Sequence, residues 1–473
     1  MTYRKFLLLA ALLAAASPAL AADGDSPARL DALERQLRDV QRQLAEIKTS
    51  RETNAAALNQ FRKDTADSHA ALAKRVAGQP RLRLDNGRFS VTSADGDFSL
   101  ALRGTTQLDM AYFAQGKNPP GVDLNSGMNL RRAQFGFQGT AWRDWSYTFT
   151  YEFGGVNAPR AGYIYRAMIQ YDGFKPFGIR IGAFAPPSGI EDGNGGSNLI
   201  FLERASAANI SRGIAGAGGR EGVNIFAQGK SYLLSLAYTG GRTLDTATFD
   251  EQQALVGRAA WLAYDGGSFK WLVDGHATHV FKVADASPNT PATISLSAGP
   301  ELAVDPTRTV NTGALDARKL TEYGFESAAM IDRFYGQGGW FHYDIDRRSG
   351  TEAQFQGWYA MATWSLTGET RRYDAASASF RGLQPLHPLG SPGGAGAWEI
   401  KARVSNIDLD HQPLSAGGVV GGVQNVWSTG LNWYPNDGLR FMLDYDHIRV
   451  HHANAPATNI SADAIGLRSQ ISF

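Results

Sequence analysis

The apolar positions of this chain follow two different periods. From Leu30 to Ile47 they fall at Leu30, Leu33, Leu37, Val40, Leu44 and Ile47, with spacings of 3, 4, 3, 4 and 3. That is the a/d seam of a heptad, set among Arg, Glu, Asp and Gln. The register continues through Leu58, Phe61 and Leu72, with Asn54 at a seam position, until Gly78-Gln79-Pro80 breaks it. A helix with one apolar stripe must bury that stripe against a partner. Residues 22–80 are therefore expected to form a coiled-coil oligomerisation segment, the alternative being a lone helix laid on the protein's own surface.

Beyond about residue 81 the period becomes two. In "LRRAQFGFQGTAWRDWSYTFTYEF", Leu130 to Phe153, the rings of Phe135 and Phe137 share one parity, as do those of Tyr147, Phe149, Tyr151 and Phe153. Gln134, Gln138, Thr148, Thr150 and Glu152 take the other, which predicts strands with one apolar and one polar face. Such strands are predicted near 98–113, 129–140, 146–154, 161–172, 178–185, 220–228, 231–239 and 253–264. Eight more are predicted near 269–282, 320–333, 335–345, 353–366, 396–408, 423–434, 438–450 and 462–473. Tight junctions such as "QGKS" and "YPNDG" alternate with long ones such as 186–219, 283–318 and 451–461. Short turns at one end and long loops at the other mark an outer-membrane barrel. The stretch 368–395 is the exception, a long connection on the short-turn side.

The expected fold is all-β: a 16-stranded antiparallel transmembrane β-barrel over residues 81–473, preceded by the N-terminal coiled-coil helix. An even strand number puts both barrel ends on one side, expected to be the periplasm, with the coiled coil there too. The leader agrees. Arg4 and Lys5 precede an apolar run from Phe6 to Ala16, and Ala19-Leu20-Ala21 reads as a cleavage site, so 1–21 is expected to be a signal peptide. An uncleaved anchor is the alternative.

Composition narrows the function. With 46 basic and 45 acidic residues, the balance argues against nucleic acid as a partner. The absence of Cys excludes disulfides and thiolate metal sites, and 53 glycines with 11% aromatics suit a turn-rich β protein. No Gly-x-Ser-x-Gly elbow and no complete Gly-x-x-x-x-Gly-Lys-Ser/Thr phosphate-binding loop occurs. His276 and His279 have opposite strand parity and are not expected to share a metal, while His342, Asp344 and Asp346 need only a strand's alternation to explain them. Neither an enzyme nor a cofactor is expected.

Several segments resemble the phosphate-selective porin O and P family: "NLRRAQFGFQGTAWRDWSYTFTYEFGG", "IGAFAPPSGIEDGNGGSNLIFLER", "TGETRRYD" through "LQPLHPLG" to "GAWEIKARVSNIDL", and "LNWYPNDGLRFMLDY". The resemblance covers most of the chain after residue 81. It implies a sixteen-stranded barrel, usually a trimer, that passes small anions by diffusion past lumenal arginines and an inward-folding third loop. Arg131 and Arg132 match the family's arginine pair, and Glu203 and Arg204 match the end of the constriction-loop motif. The chain departs at Phe184-Ala185-Pro186-Pro187-Ser188, where the family commonly carries a lysine.

Strand parity sorts the charges. With aromatics outward, the lumen receives Arg103, Arg132, Arg166, Arg180, Arg258, Lys401, Arg403, Arg440 and Arg468. It also receives Asp109, Glu152, Asp172, Glu322, Glu326, Glu399, Asp444 and Asp446, so acids interleave with bases. The expected pore-lining and anion-binding residues are Arg103, Arg132, Arg166, Arg180, Arg204, Lys401, Arg403, Arg440 and Arg468. Glu191, Asp192 and Glu203 are expected on the constriction loop. Strict alternation turns Arg131 outward, towards the rim or the lipid headgroups. The expected function is passive diffusion of small hydrophilic solutes, anions foremost, with phosphate or polyphosphate uptake as a narrower reading. The expected partners are small anionic solutes, outer-membrane lipid, two further copies in a homotrimer, and the cell wall through the coiled coil. A structural tether acting through that coiled coil is the competing function.

Overall fold

The computed structural model describes residues 27–473 apart from 86, 117, 118, 120, 121, 156–161 and 246–248. The expected signal peptide lies outside the described residues. The chain divides into two compact units, one ending at Gln79 and one running from Pro80 to Phe473.

The first unit is one helix, α1 (Pro27–Ala77), 51 residues long with none buried. Thr49 and Thr53 return their hydroxyls to carbonyls one turn back, and Gln60 bonds Asp64 at 2.8 Å, so its polar face is knit locally. The seam residues are all more than half exposed, from Leu58 at 51% to Phe61 at 68%. Propensity and local bonds make this helix, while its apolar stripe finds no partner within its own unit.

The second unit is a closed barrel. Its strands are β1 (Ser99–Gln115), β2 (Gly127–Ala141), β3 (Trp145–Glu152), β4 (Tyr163–Tyr171), β5 (Phe177–Phe184), β6 (Arg220–Gln228), β7 (Tyr232–Arg242) and β8 (Gln253–Gly266). They continue as β9 (Phe269–Lys282), β10 (Ala317–Ile331), β11 (Phe334–Arg347), β12 (Ala353–Ser365), β13 (Ala397–His411), β14 (Val419–Tyr434), β15 (Leu439–His451) and β16 (Ile460–Ser472). Each pairs antiparallel with the next, and β16 closes on β1 with Gly466 opposite Ala111. Closure leaves no sheet edge, so strand-to-strand hydrogen bonds satisfy the backbone in lipid. Among the described residues no helix is long and apolar enough to cross a membrane.

All sixteen expected strands are present. The largest differences lie at the long-loop end, where β13 runs on to His411 and β14 begins at Val419. There the outward positions carry Asn406, Asp408 and Asp410. The apolar alternation stops at the membrane boundary, but the backbone ladder continues beyond it. The sequence did not signal the hairpin Arg81–Asp85 with Arg88–Thr92, whose second strand pairs with the start of β1.

Along β12 burial alternates residue by residue, the exposed set including Trp358 and Trp364. Rings pair on the outer face: Phe334 stacks on Trp364 at 5.5 Å and Trp398 on Trp433 at 5.3 Å near the short turns, and Tyr323 meets Trp340 edge-on at 5.8 Å further along. These are the interfacial aromatics of a membrane barrel.

Three connections fold inward against the lumenal faces. The segment 185–219 carries α2 (Ile190–Gly193) and α3 (Ser206–Ala215), and its Ile190, Leu199, Ile200, Phe201 and Leu202 are at most 4% exposed. The segment 283–316 buries Leu296, Leu302 and Val310. The segment 366–396 enters from the short-turn side, where Phe380 packs edge-on against Tyr335 at 5.3 Å. The long connection on the short-turn side thus folds into the barrel.

Candidate functional site

The constricting segment 185–219 is held on one side by strands β13 to β16 and β1. Lys401 Nζ and Asn432 Nδ2 donate to the carbonyl of Ile200 at 2.9 and 3.1 Å, and Arg403 donates to the carbonyl of Glu203 at 2.8 Å. The amide of Leu202 donates to Asp444 at 2.9 Å. Arg403 also pairs with Glu301 of the 283–316 segment at 2.6 Å, and the same carboxylate accepts from the amide of Ser206. Arg468 holds Asp109 with two 2.6 Å bonds and reaches Glu203 at 3.1 Å. Arg440 donates to Ile200 at 3.3 Å, and Arg371 pairs with Glu399. These are buried charges answered by carboxylates or carbonyls, the condition for burying them at all.

The wall of β1 to β6 is different. Arg103 donates to Gln138 at 2.9 Å, Arg180 donates to Gln170 at 2.9 Å, and Arg166 lies over the ring of Tyr165 at 5.4 Å. Arg180 is braced between Phe184 and Phe226 at 5.7 and 5.5 Å. Among the described residues none of the three forms an ion pair. They face a cavity of 430 Å³ on the short-turn side, lined by eight arginines (88, 103, 166, 180, 204, 212, 258 and 381) and two carboxylates, Asp192 and Asp374. On the long-loop side a second cavity of 550 Å³ is lined by Arg131, Arg204, Arg212, Arg242 and Arg308 against Glu203, Glu301 and Asp305.

Both cavities reach Tyr165, Arg204 and Arg212. At that junction Asp192 pairs with Arg212 and, at 3.5 Å, with Arg204, while Arg212 donates to the Tyr165 hydroxyl at 3.3 Å. Two guanidinium groups therefore share one carboxylate, and among the described residues the buried Nε of Arg204 has no hydrogen-bond partner. Burial opposes ionisation of Glu203, but Arg131, Arg132 and Arg468 outweigh it and hold this carboxyl well below the usual range. Burial pushes Glu191 up to about 8, because its nearest cation, Arg403, lies 3.9 Å away and is engaged by Glu301.

Of the expected residues, Arg103, Arg166, Arg180 and Arg204 come together with Asp192 along this passage. Lys401, Arg403, Arg440 and Arg468 are instead buried beneath the loop segments. The arginine doublet departs from strict alternation. Gln107 pairs with Arg132 and Leu108 with Leu130, so Arg131 is the extra residue of a β-bulge. Leu130 stays on the outer face at 40% exposed, and Arg131 turns inward to grip Glu203 at 2.6 and 2.9 Å. Arg132 is buried, donating to Gln107 at 2.5 Å beneath Gly196, where a Cβ would stand 2.6 Å from its Nε. It lines neither cavity. Arg212 and Tyr165 carried no sequence signal: Arg212 sits on a loop helix without strand parity, and Tyr165 reads as one more strand aromatic.

Comparison with known proteins places this geometry. The family described as phosphate-selective porin O and P matches residues 101–473. The chain belongs to that family. It is 24% identical over 381 residues to Porin O of Pseudomonas aeruginosa, covering 76% of this chain and 85% of that one. An uncharacterized protein of Caulobacter vibrioides is 27% identical over 388 residues, covering 80% of this chain and 75% of that one. Among solved structures, the outer-membrane protein OmpT of Vibrio cholerae superposes with a TM-score of 0.50 at 9% identity, over 80% of this chain and 98% of that one. The protein is an outer-membrane porin, a channel for small solutes.

Proposed function

We propose that this porin passes small anions by diffusion along the β1 to β6 wall. One observation carries the reading: the passage on the short-turn side is lined by eight arginines and two carboxylates, in a chain whose overall charge is +1. A narrow passage with low-dielectric walls focuses the field of such a cluster and raises the local concentration of the opposite charge. Guanidinium forks match carboxylate and phosphate oxygens, so either class of anion is accommodated. Arg103, Arg166, Arg180, Arg204 and Arg212 contact the solute, and Asp192 tempers their field at the junction. Phosphate is one cargo among such anions, since no lysine stands in the stretch Phe184 to Ser188.

Homotrimer formation is supported by two unpartnered features. The seam of α1 is exposed throughout, and strands β3 to β6 have only 8, 9, 8 and 9 residues against 13 to 16 in β8 to β16. A spanning strand needs roughly 9–11 residues, and a wall at or below that length is relieved by packing against another subunit. In this arrangement α1 lies in the periplasm, associating with its copies and reaching towards the cell wall. The test of conduction is a planar bilayer with a salt gradient across it. A reversal potential of the sign for anion passage is expected. A cation-selective or non-conducting folded protein would sink the proposal.

A further inference from the structure

Away from the passage, on the wall of β9 and β10, four titratable side chains meet at the root of the constricting segment. Asp274 and His276 stand two apart on β9, both inward, and Glu322 and Glu326 face them from β10. The register sets Asp274 directly opposite Glu326, and His276 opposite Gly324. One donor atom from each of Asp274, His276 and Glu326 lies within 4.8 Å of the other two. Imidazole Nδ1 is 3.2 Å from Asp274, and Nε2 is 3.3 Å from Glu322. None of the four is appreciably exposed: the side chains of His276, Asp274 and Glu322 are at 1%, 0% and 0%, and Glu326 is at 1%.

Space has been kept for this cluster. A Cβ on Gly324 would stand 2.3 Å from His276 Nε2, and one on Gly189 would stand 2.0 Å from Glu326 Oε2. The charges do not close. Among the described residues, Asp274, Glu322 and Glu326 face a single fixed cation, Arg258, which bonds Asp274 at 2.6 Å. The remaining donors are neutral: Ser211 to Glu322 at 2.7 Å, and the Ile190 amide and Tyr359 hydroxyl to Glu326. Among the described residues Glu322 Oε2 has no hydrogen-bond partner, and His276 Nε2 has none beyond its 3.3 Å approach to Glu322 Oε1.

We propose that Asp274, His276 and Glu326 bind one divalent cation of the zinc or manganese class, with Glu322 orienting the imidazole from its far nitrogen. A dication would answer Glu322 and Glu326, which form no ion pair with Arg258. One imidazole with two carboxylates suits these borderline metals better than calcium, which takes six to eight oxygens. A carboxylate on the non-ligating nitrogen is the usual companion of a metal-bound histidine. Because Glu326 also holds the amide of Ile190 and Glu322 holds Ser211, the cation ties the barrel wall to both helices of the constricting segment. It would thus rigidify the aperture, and it is independent of which solute passes.

The test uses the full chain, folded and purified in detergent, stripped with a chelator, equilibrated with zinc, manganese or calcium, and desalted. Elemental analysis should find a single stoichiometric zinc or manganese per chain and no calcium, with a higher unfolding midpoint for the metal-loaded barrel. His276→Gln and Glu326→Gln should abolish retention, and Glu322→Gln should weaken affinity ~10–100-fold. Wild-type protein that retains no metal overturns the proposal, whatever the variants do. So does retention in folded His276→Gln equal to that of wild type, or calcium held as well as zinc.

Discussion

Arginine does opposite work on the two sides of this lumen. Across β13 to β16, Arg403 and Arg468 are clamped by Glu301, Asp109 and Glu203, and they fasten loop segments to the wall. Across β1 to β6, Arg103, Arg166 and Arg180 rest on amides and rings, with their charge uncancelled. A guanidinium costs so much to desolvate that, once buried, it must find a carboxylate or carbonyl. Only where water still reaches can it keep its charge for a passing ion. The difference teaches that a lumenal arginine is defined by its partner. Nine inward bases against eight inward acids read as a nearly neutral wall, yet folding sorts them into a paired buttress and a passage in which Arg103, Arg166 and Arg180 form no ion pair among the described residues.

Breaking the buttress should produce the largest effect. Arg403→Ala strands the Glu301 carboxylate without its cation, and removing one partner of a buried pair costs about 3–5 kcal/mol. Urea unfolding in micelles should show that loss, whereas Arg166→Ala should leave the midpoint nearly unchanged. Equal losses in both variants would erase the contrast between the walls.

The passage is sharpened by the converse experiment. Replacing Arg103, Arg166 and Arg180 together with Gln should lower the anion-to-cation permeability ratio about tenfold, or roughly 1.4 kcal/mol of barrier. Reversal potentials measure it, and Lys401→Gln should move them far less. Asp192→Asn removes the one carboxylate at the junction. It should raise anion preference a few-fold, consistent with about 1 kcal/mol for a unit charge at 4 Å in water. A fall in anion preference would show that Asp192 is needed to position Arg204 and Arg212.

The smallest effect concerns Glu191. Its folded-state carboxyl titrates near 8, above the range of an unfolded chain. The stabilisation from binding that proton is fully present below the ordinary carboxyl range and is lost as pH rises to about 8. Glu191→Gln should flatten that part of the stability profile, and an unchanged slope would assign the pH dependence to other groups.

The strands were legible because lipid on one side and water on the other impose a period of two on every one of them. Even the exceptional connection 366–396 stood out by its length alone. The constriction was legible only in part. Asp192, Glu203 and Arg204 could be placed on the inward loop from their motif, but Arg212 lies on a helix that folds across the lumen. Arg131 was misassigned by parity, because a bulge of one residue cannot be seen in alternating letters, whereas Arg132 faces inward as its parity says. Nor could Asp274 and His276 be joined to Glu326, whose register across β9 and β10 is set by the 34-residue connection folded between them.

The sequence by itself determined the heptad helix, the sixteen strands and which face of each meets lipid, since these follow from local periodicity and the solvent on either side. Tertiary structure alone decided which inward charges are cancelled. Pairing depends on three loop segments entering the barrel and choosing one wall, and that choice is made by contacts between residues as distant as Arg403 and Glu203. Carboxylates and carbonyls delivered to the β13 to β16 side turned its arginines into anchors. Among the described residues no carboxylate pairs with Arg103, Arg166 or Arg180, and these three leave a charged path open.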